Sequence, residues 1–335
     1  MNVTAVTVTY GKRAHLLTQA LDAARDEGIA HALVIDNASA DDIAALLATR
    51  YGGWAHVHRL ERNLGSAGGF KTGIDLALQH GAEFLLLLDD DNVLNPGAVN
   101  QLYTALNRQF ALRESTISAV FCYRADRHGH FLNPGPKKLR SSSTFRGFHL
   151  LDIPAKLHRA QAAPSIQNQV PATLPAPFAP YGGLFFHRTL IPKIGLPRAD
   201  FVLYEDDTEF TFRLPRAGGC LLLIPGAALT DLETSWNHQQ PNQSSFTVWL
   251  NGGTDFRTYY AFRNGTFADL YCRGGNRALI LFNMAVYVLI LTAMAIAQHR
   301  LSRLALLLRA LAAGLTGRLG IAPAFTLPNG SPQDA

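Results

Sequence analysis

Three consecutive carboxylates, Asp89-Asp90-Asp91, follow the apolar run FLLLL. At the end of a buried strand they repel one another, and a divalent cation among them removes that cost. Alternate residues of a short extended run face the same way, so Asp89 and Asp91 can share one ion. An oxygen-only donor set suits Mg²⁺ or Mn²⁺, which keep some waters and also take phosphate oxygens. A solvated acidic turn capping the helix that starts near Pro96 is the alternative, although a cap needs one acid and not three. A second cluster, Glu205-Asp206-Asp207-Thr208-Glu209, is followed by Arg213. On a helix beginning there, Asp206 and Glu209 share a face and Glu209 pairs with Arg213. Asp207 is then left to point elsewhere, as a general base must; a helix start stabilised by the dipole is the plainer reading. The small-residue segment Asn63-Leu64-Gly65-Ser66-Ala67-Gly68-Gly69 can bring backbone close to an anion at a helix N-terminus, or can be a tight structural turn. It is not a dinucleotide fingerprint, because no G-x-G-x-x-G follows the first strand.

These residues need elements to carry them. Short β-branched or apolar runs (VTAVTVTY from Val3, ALVIDN, WAHVHRL and FLLLLDDDN) alternate with stretches of helical spacing over 12–27, 41–50, 68–80 and 97–108. Such alternation predicts an α/β fold with a mostly parallel central sheet and helices on both faces. Ligands of such sheets lie beyond the carboxyl ends of the strands. Thr9-Tyr10, Asp36-Asn37 and Asp89 to Asn92 all sit at such ends.

From Asn133 to Pro180 the pattern dissolves into eight prolines and polar runs, and it returns at YGGLFFHRTLIPKIG. The last third changes character. Ala278 to Ala297 is twenty uncharged residues, the length that spans a hydrocarbon core. Beyond Arg277 the chain holds four arginines and a single acid, Asp334. Either a buried helical hairpin or a membrane-facing tail fits, and the coincidence of uncharged length with flanking arginines favours the membrane. A full span would carry the last arginines across, against the positive-inside bias, so a peripheral or monotopic association at the cytoplasmic leaflet is expected.

Composition narrows the classes. With 335 residues, 48% hydrophobic and 16% charged, the chain can bury a sizeable core, and wholesale disorder is excluded. Three scattered cysteines form neither a disulfide framework nor a zinc pair and point to a reducing compartment. The opening MNVTAVTVTYGK lacks the basic and apolar regions of a signal peptide, so the N-terminus is expected to stay in the cytoplasm. The net charge of +5 suggests an anionic partner. Nucleic acid is disfavoured, because the arginines lie among aliphatic residues with few aromatics to stack bases.

Taken in order, VTVTYGK, VIDNAS, RNLGSAGG, LLDDDN, YEDDTEFTFR, PGAAL and YYAFRN resemble the motifs of family-2 inverting glycosyltransferases, nearest their rhamnosyltransferase and galactofuranosyltransferase branch. The resemblance covers about Val3 to Asn264. It implies a GT-A nucleotide-sugar-binding fold, with 1–130 as the nucleotide-sugar half and 131–276 as the acceptor half of the same domain. The segment 277–320 would be the apolar, arginine-bearing helical tail and 321–335 a disordered end. By the same resemblance, Thr9 and Asp36 would contact the nucleoside, and Asn63, Gly65, Ala67, Gly68 and Gly69 would line the donor pocket; Tyr10, beside Thr9 at the strand end, is a further expected donor-binding residue. Asp89 and Asp91 would hold the metal, Asp90 would lie near the donor ribose or sugar, and Asp207 would be the base with Asp206 beside it. Relatives carry a histidine metal ligand after the P-G-A-A stretch, whereas this chain has Asp231 in that register and its first histidine is His238. Asp231 is the expected third ligand and His238 the less favoured one.

The implied activity is metal-dependent inverting transfer of a sugar, galactofuranose or rhamnose, from a UDP- or dTDP-linked donor. The acceptor would be a lipid-linked or cell-surface glycan. A nucleotidyltransferase or a non-catalytic nucleotide-sugar-binding module is the alternative. A nucleotidyltransferase usually places a basic Gly-rich loop after the first strand, and TYGKRAH has one glycine.

Overall fold

The computed structural model describes residues 2–113, 117–125, 127–128, 143–152, 171–233 and 244–327. Its first half follows the alternation read from the sequence: β1 (Val3–Thr9), α1 (Ala14–Asp26), β2 (His31–Asp36), α2 (Ile43–Tyr51), β3 (Ala55–Arg59), α3 (Gly65–Gln79) and β4 (Phe84–Asp89). Then come β5 (Asn92–Leu94), α4 (Ala98–Arg113), β6 (Ser118–Tyr123), β7 (Leu174–Pro175), β8 (Leu184–His187), α5 (Asp206–Arg216) and β9 (Cys220–Asp231). The nine strands form one sheet in the order β3-β2-β1-β4-β8-β6-β9-β5, with β7 paired to β9. Pairing is parallel among β1 to β4 and between β6 and β9; β8 inserts antiparallel between β4 and β6.

Every residue of β1 is buried, as expected of a strand covered on both faces. Val3 and Ala5 join a core with Leu17 and Leu21 of α1 and Leu102 and Leu106 of α4. Val6 and Val8 face the opposite core, with Phe70 and Ile74 of α3 and Phe210 and Leu214 of α5. Both layers therefore clamp the strands whose ends matter. In register, Thr9 lies beside Asp36 and Val8 beside Asp89, so the carboxyl ends of β2, β1 and β4 share one rim.

The C-terminal part consists of α6 (Ser245–Asn251), α7 (Asp255–Phe267), α8 (Arg277–Ala297) and α9 (Leu301–Leu315). These helices build a third core around Tyr260, Phe262, Tyr287, Leu291, Leu307 and Leu311. Asn276 caps α8 by accepting from the Leu279 N–H at 3.1 Å. The α8 residues Ile280, Asn283, Tyr287, Leu291 and Ala295 form a buried stripe at helical spacing. Leu281, Phe282, Leu289 and Ile296 on the same helix are exposed at 42%, 53%, 70% and 59%. Among the described residues, α8 is the one helix long and apolar enough to cross a membrane, with mean hydropathy 2.4. The segment expected to be disordered from 321 is ordered through Leu327. Phe325 stacks on Tyr259 at 4.3 Å and its carbonyl accepts from the Tyr260 hydroxyl, because apolar residues there complete the third core.

Candidate active site

At the rim, β4 runs into a turn whose clasp is Asn92. Its side-chain oxygen accepts from the Asp89 N–H at 3.0 Å, and its amide donates to Asp231 at 2.7 Å and Asp91 at 3.2 Å. The three acids then have three different surroundings. Asp90 is buried and accepts from the Thr9 hydroxyl at 2.8 Å and from the Arg13 guanidinium at 2.9 Å. Asp89 is the most open, its side chain 39% exposed. Asp91 is pushed up to about 7, by burial first and then by the charges of Asp89, Asp90 and Asp231.

This crowding is the observation against which a metal is tested. A hard cation neutralises the repulsion that raises Asp91, and Asp89 and Asp91 offer oxygen donors of the right kind. The donor set fits Mg²⁺ or Mn²⁺ provided that water and diphosphate oxygens complete the shell. The expected third ligand, Asp231, shares the Asn92 amide with Asp91 but is engaged by arginines. Asp231 is held by Arg124 at 3.2 Å and Arg127 at 3.0 Å, and among the described residues no three His, Cys, Asp or Glu side chains gather as a metal-holding group. His238 lies outside the described residues.

Two cavities meet at this rim. The smaller, about 260 Å³, is lined by Tyr10, Arg13, Asn63, Gly65, Asp90 and Arg257 among others. The larger, about 530 Å³, is lined by Arg146, Tyr181, Glu205, Asp207, Thr208 and Trp249 among others. Asp89, Ser66, Arg127, Leu203 and Tyr204 belong to both walls.

The donor-side residues divide by what they touch. Tyr10, Asn63, Gly65 and Asp90 line the smaller cavity, as expected. Gly65 has φ +74°, and a Cβ there would lie 1.9 Å from the Val202 carbonyl oxygen, so no other residue fits. Thr9 does not reach the cavity; it is fully buried and its hydroxyl is spent on Asp90. Asp36 is likewise 1% exposed, accepting from the Ser39 N–H at 2.7 Å and pairing with Arg59. Ala67, Gly68 and Gly69 are buried inside α3; a Cβ at Gly69 would strike Val8 at 2.5 Å. A Cβ at Gly68 would strike Leu64 at 2.5 Å, so the smallness of Gly69 serves the packing of α3 on β1 and that of Gly68 the turn into α3, which corrects the expectation that the three line the pocket.

Across the rim, α5 begins at the acids, with Asp206, Asp207 and Glu209 in its first turn, where the helix dipole favours negative charge. Glu209 pairs with Arg213 one turn on, as the spacing predicts. Asp206 is 2% exposed and accepts from the Ser66 hydroxyl at 2.9 Å, which ties α5 to the first turn of α3. Asp207 faces the larger cavity and accepts from the Thr208 N–H at 2.6 Å. Burial pushes its carboxyl up to about 6, and the charges of Glu205 and Asp89 act in the same direction. A carboxylate poised there holds or releases a proton near neutrality, as general-base work requires.

Sequence reasoning missed the arginines. Arg124 is fully buried and lies between Asp89 at 3.3 Å, the Asn92 oxygen at 3.1 Å and Asp231. The available signal was its place: CYRADR puts it directly after β6, at the same sheet end as the acids. Arg13, paired with Asp90 and Glu233, was passed over inside the first strand–helix turn. Arg146, whose guanidinium lies 4.9 Å from the Trp249 ring centre, falls inside the irregular stretch from Asn133 to Pro180, where no pattern pointed to it.

Comparison with known proteins places this geometry. Residues 4–155 match the family model described as Glycosyl transferase family 2. The galactofuranosyltransferase GlfT1 of Mycolicibacterium smegmatis is 27% identical over 218 residues, covering 64% of this chain and 66% of that protein. GlfT1 of Mycobacterium tuberculosis is 27% identical over 226 residues, with 65% and 66% covered. The matched stretch thus spans 66% of the length of these relatives. Among solved structures, GalNAc-T7 with UDP, GalNAc and Mn²⁺ superposes with a TM-score of 0.52 at 12% identity, over 80% of this chain and 48% of that one. S. aureus TarS in complex with UDP-GlcNAc gives 0.52 at 13% identity, over 94% and 81%. The fold is that of the GT-A glycosyltransferases, and the resemblance read from the motifs holds.

Proposed function

We propose that the chain is an inverting glycosyltransferase that moves a sugar from a nucleotide-diphosphate donor to a glycan hydroxyl. The observation that carries this reading is the shared wall of two cavities, with an acid-lined rim at Asp89 and a raised carboxyl, Asp207, facing the larger one. The smaller cavity takes the nucleotide, with Tyr10 and Asn63 on its walls, and the larger takes the acceptor, with Trp249 and Tyr181 as apolar platforms. The GlfT1 relatives, galactofuranosyltransferases by name, favour galactofuranose over rhamnose as the sugar, carried on UDP or dTDP.

Asp89 and Asp91 would hold Mg²⁺ or Mn²⁺, which supplies charge neutralisation of the diphosphate leaving group. Asp207 takes the proton of the acceptor hydroxyl while that oxygen attacks the anomeric carbon from the face opposite the diphosphate. Asp206, fixed by Ser66, holds the start of α5 and keeps Asp207 directed into the cavity. Bringing both substrates to one wall supplies orientation and excludes water. Release of UDP or dTDP from a panel of nucleotide sugars, with and without a glycan acceptor, tests the reading. A protein that binds UDP-sugars yet never releases nucleotide would be a binding module instead.

The exposed apolar face of α8 supports attachment to the cytoplasmic leaflet, with the acceptor carried on a lipid. Leu281, Phe282, Leu289 and Ile296 would enter the acyl boundary, while the exposed Arg300, Arg309 and Arg318 would meet anionic head groups. Arg303 takes no part, contrary to the even-handed treatment of the arginines at the level of sequence. It is 10% exposed and spent on Asp255 and on the Trp249 and Gly253 carbonyls.

A further inference from the structure

The motif YYAFRN entered the sequence reading without a task, and it ends on α7 at Arg263 and Asn264, with Gly265 next. All three residues serve one loop. Asn264 is fully buried and its single amide nitrogen donates to the carbonyls of Phe201 at 2.7 Å, Leu203 at 2.7 Å and Tyr204 at 3.0 Å. Arg263 donates to the Phe201 carbonyl at 3.1 Å and orients Asn264 through its side-chain oxygen at 2.8 Å. Gly265 leaves the space that Arg146 fills: a Cβ there would lie 1.4 Å from the guanidinium, which pairs with Glu205 at 3.0 Å.

The loop needs this attention because its backbone is costly. Val202, Tyr204 and Glu205 have φ of 67°, 66° and 63°, left-handed values at three non-glycine residues within four positions. At Val202, ψ is −63° and the Leu203 N–H reaches the Phe201 carbonyl at 2.8 Å, a γ-turn of the rare, strained hand around a β-branched residue. The γ-turn directs the Val202 carbonyl at α3, where it accepts from the Ala67 N–H at 3.2 Å, and the loop then delivers Asp206 and Asp207 to the rim. Strained backbone persists only where its surroundings over-determine it.

We propose that Asn264, aided by Arg263 and Gly265, is a positioning residue: it clamps the 201–205 backbone in its left-handed course and so sets Asp207 against the acceptor. This rests on the reading of Asp207 as the base. Asn264→Ser should lower kcat on the order of 10-fold to 100-fold, with UDP affinity by calorimetry changed less than about threefold. Adding Val202→Gly, which removes the strain at the γ-turn, should recover a substantial part of the lost kcat. Amides of 201–207 should exchange faster in Asn264→Ser and regain protection in the double variant. If Asn264→Ser keeps full kcat and full loop protection, or if Val202→Gly worsens both, the clamp is wrong. Should Asn264→Ser not fold, Gly265→Ala, which expels Arg146 from Glu205, must show the same split between kcat and UDP affinity. If it does not, the proposal falls. The exchange result stands apart from catalysis, so an active Asp207→Asn variant alongside loosened 201–207 amides would sink the base assignment and spare the clamp.

Discussion

The raised carboxyl of Asp207 makes a quantitative demand on the pH profile. With the carboxyl at about 6, the proton-accepting form is about 0.9 of the total at pH 7 and about 0.1 at pH 5. The value of kcat/KM should therefore fall about tenfold across those two units. An ordinary aspartate near 3.9 would still be about 0.9 ionised at pH 5, and the profile would be nearly flat. The sign follows from the role: a base is lost by protonation, so activity falls as pH falls. Asp207→Asn keeps size and hydrogen-bonding reach but accepts no proton, and should cut turnover by on the order of 10²-fold or more while erasing the acid limb. Nucleotide release in a coupled assay reads both, and calorimetric UDP binding at each pH separates donor affinity from chemistry. Asp206 is raised too, by burial and by the charge of Asp207, so the pair exchanges protons as a unit. If Asp206→Asn rather than Asp207→Asn erases the limb, the base is one residue earlier. A wild-type profile flat from pH 7 to pH 5 refutes the argument for a raised base altogether.

Asp91 carries a cost in the metal-free protein. Its folded value, about 7, exceeds the unfolded value, so the stability it contributes is present below about 4 and lost as pH rises through 7. Asp91→Asn should therefore raise the metal-free melting temperature at pH 8 but not at pH 4, while abolishing Mg²⁺- or Mn²⁺-dependent transfer; equal melting curves at pH 8 would contradict this. Arg124→Met removes one partner of Asp89, which is 39% exposed, and of Asp231, which keeps Arg127, and should destabilise by about 1–3 kcal/mol, read by urea denaturation. Replacing Phe282 and Leu289, 53% and 70% exposed, by Ser should weaken sedimentation with anionic vesicles at unchanged melting temperature; undiminished binding would remove α8 from the membrane contact.

The sheet and its rim were legible because both rest on local pattern. Three buried strands and an edge strand, separated by amphipathic helices, leave few topologies, and acids directly after FLLLL must lie at a strand end. The Glu209–Arg213 pair and the first-turn acids of α5 followed from helical spacing alone. What stayed hidden depends on contacts between distant segments. Nothing in the spacing of RNLGSAGG says that Gly65 meets the Val202 carbonyl while Gly69 packs on Val8, since both are small residues at one helix start. Asp231 reads as a free donor until β9 lays it against Arg124, 107 residues away in sequence. Arg303 reads as a basic flank until α9 folds back and buries it against α6 and α7.

The apolar tail shows why its two sequence readings were never exclusive. Hydropathy averages over a helix circumference, whereas packing divides it. On α8 the stripe from Ile280 to Ala295 completes the third core, and Asn283 in that stripe donates to the Ser143 carbonyl at 2.9 Å and accepts from the Leu150 N–H at 3.0 Å. Removing the chain after Asn276 would therefore strip the cover from Tyr260 and Phe262 and cause aggregation whether or not the tail meets a membrane. Only the outward residues can report on lipid, because their replacement leaves that core in place. The same division links attachment to catalysis. Arg303 of α9 holds the Trp249 carbonyl, and Trp249 walls the larger cavity, so the helices that would sit on the leaflet also shape the acceptor side of the site. An acceptor carried on a lipid would then arrive at the wall that its own membrane helps to anchor.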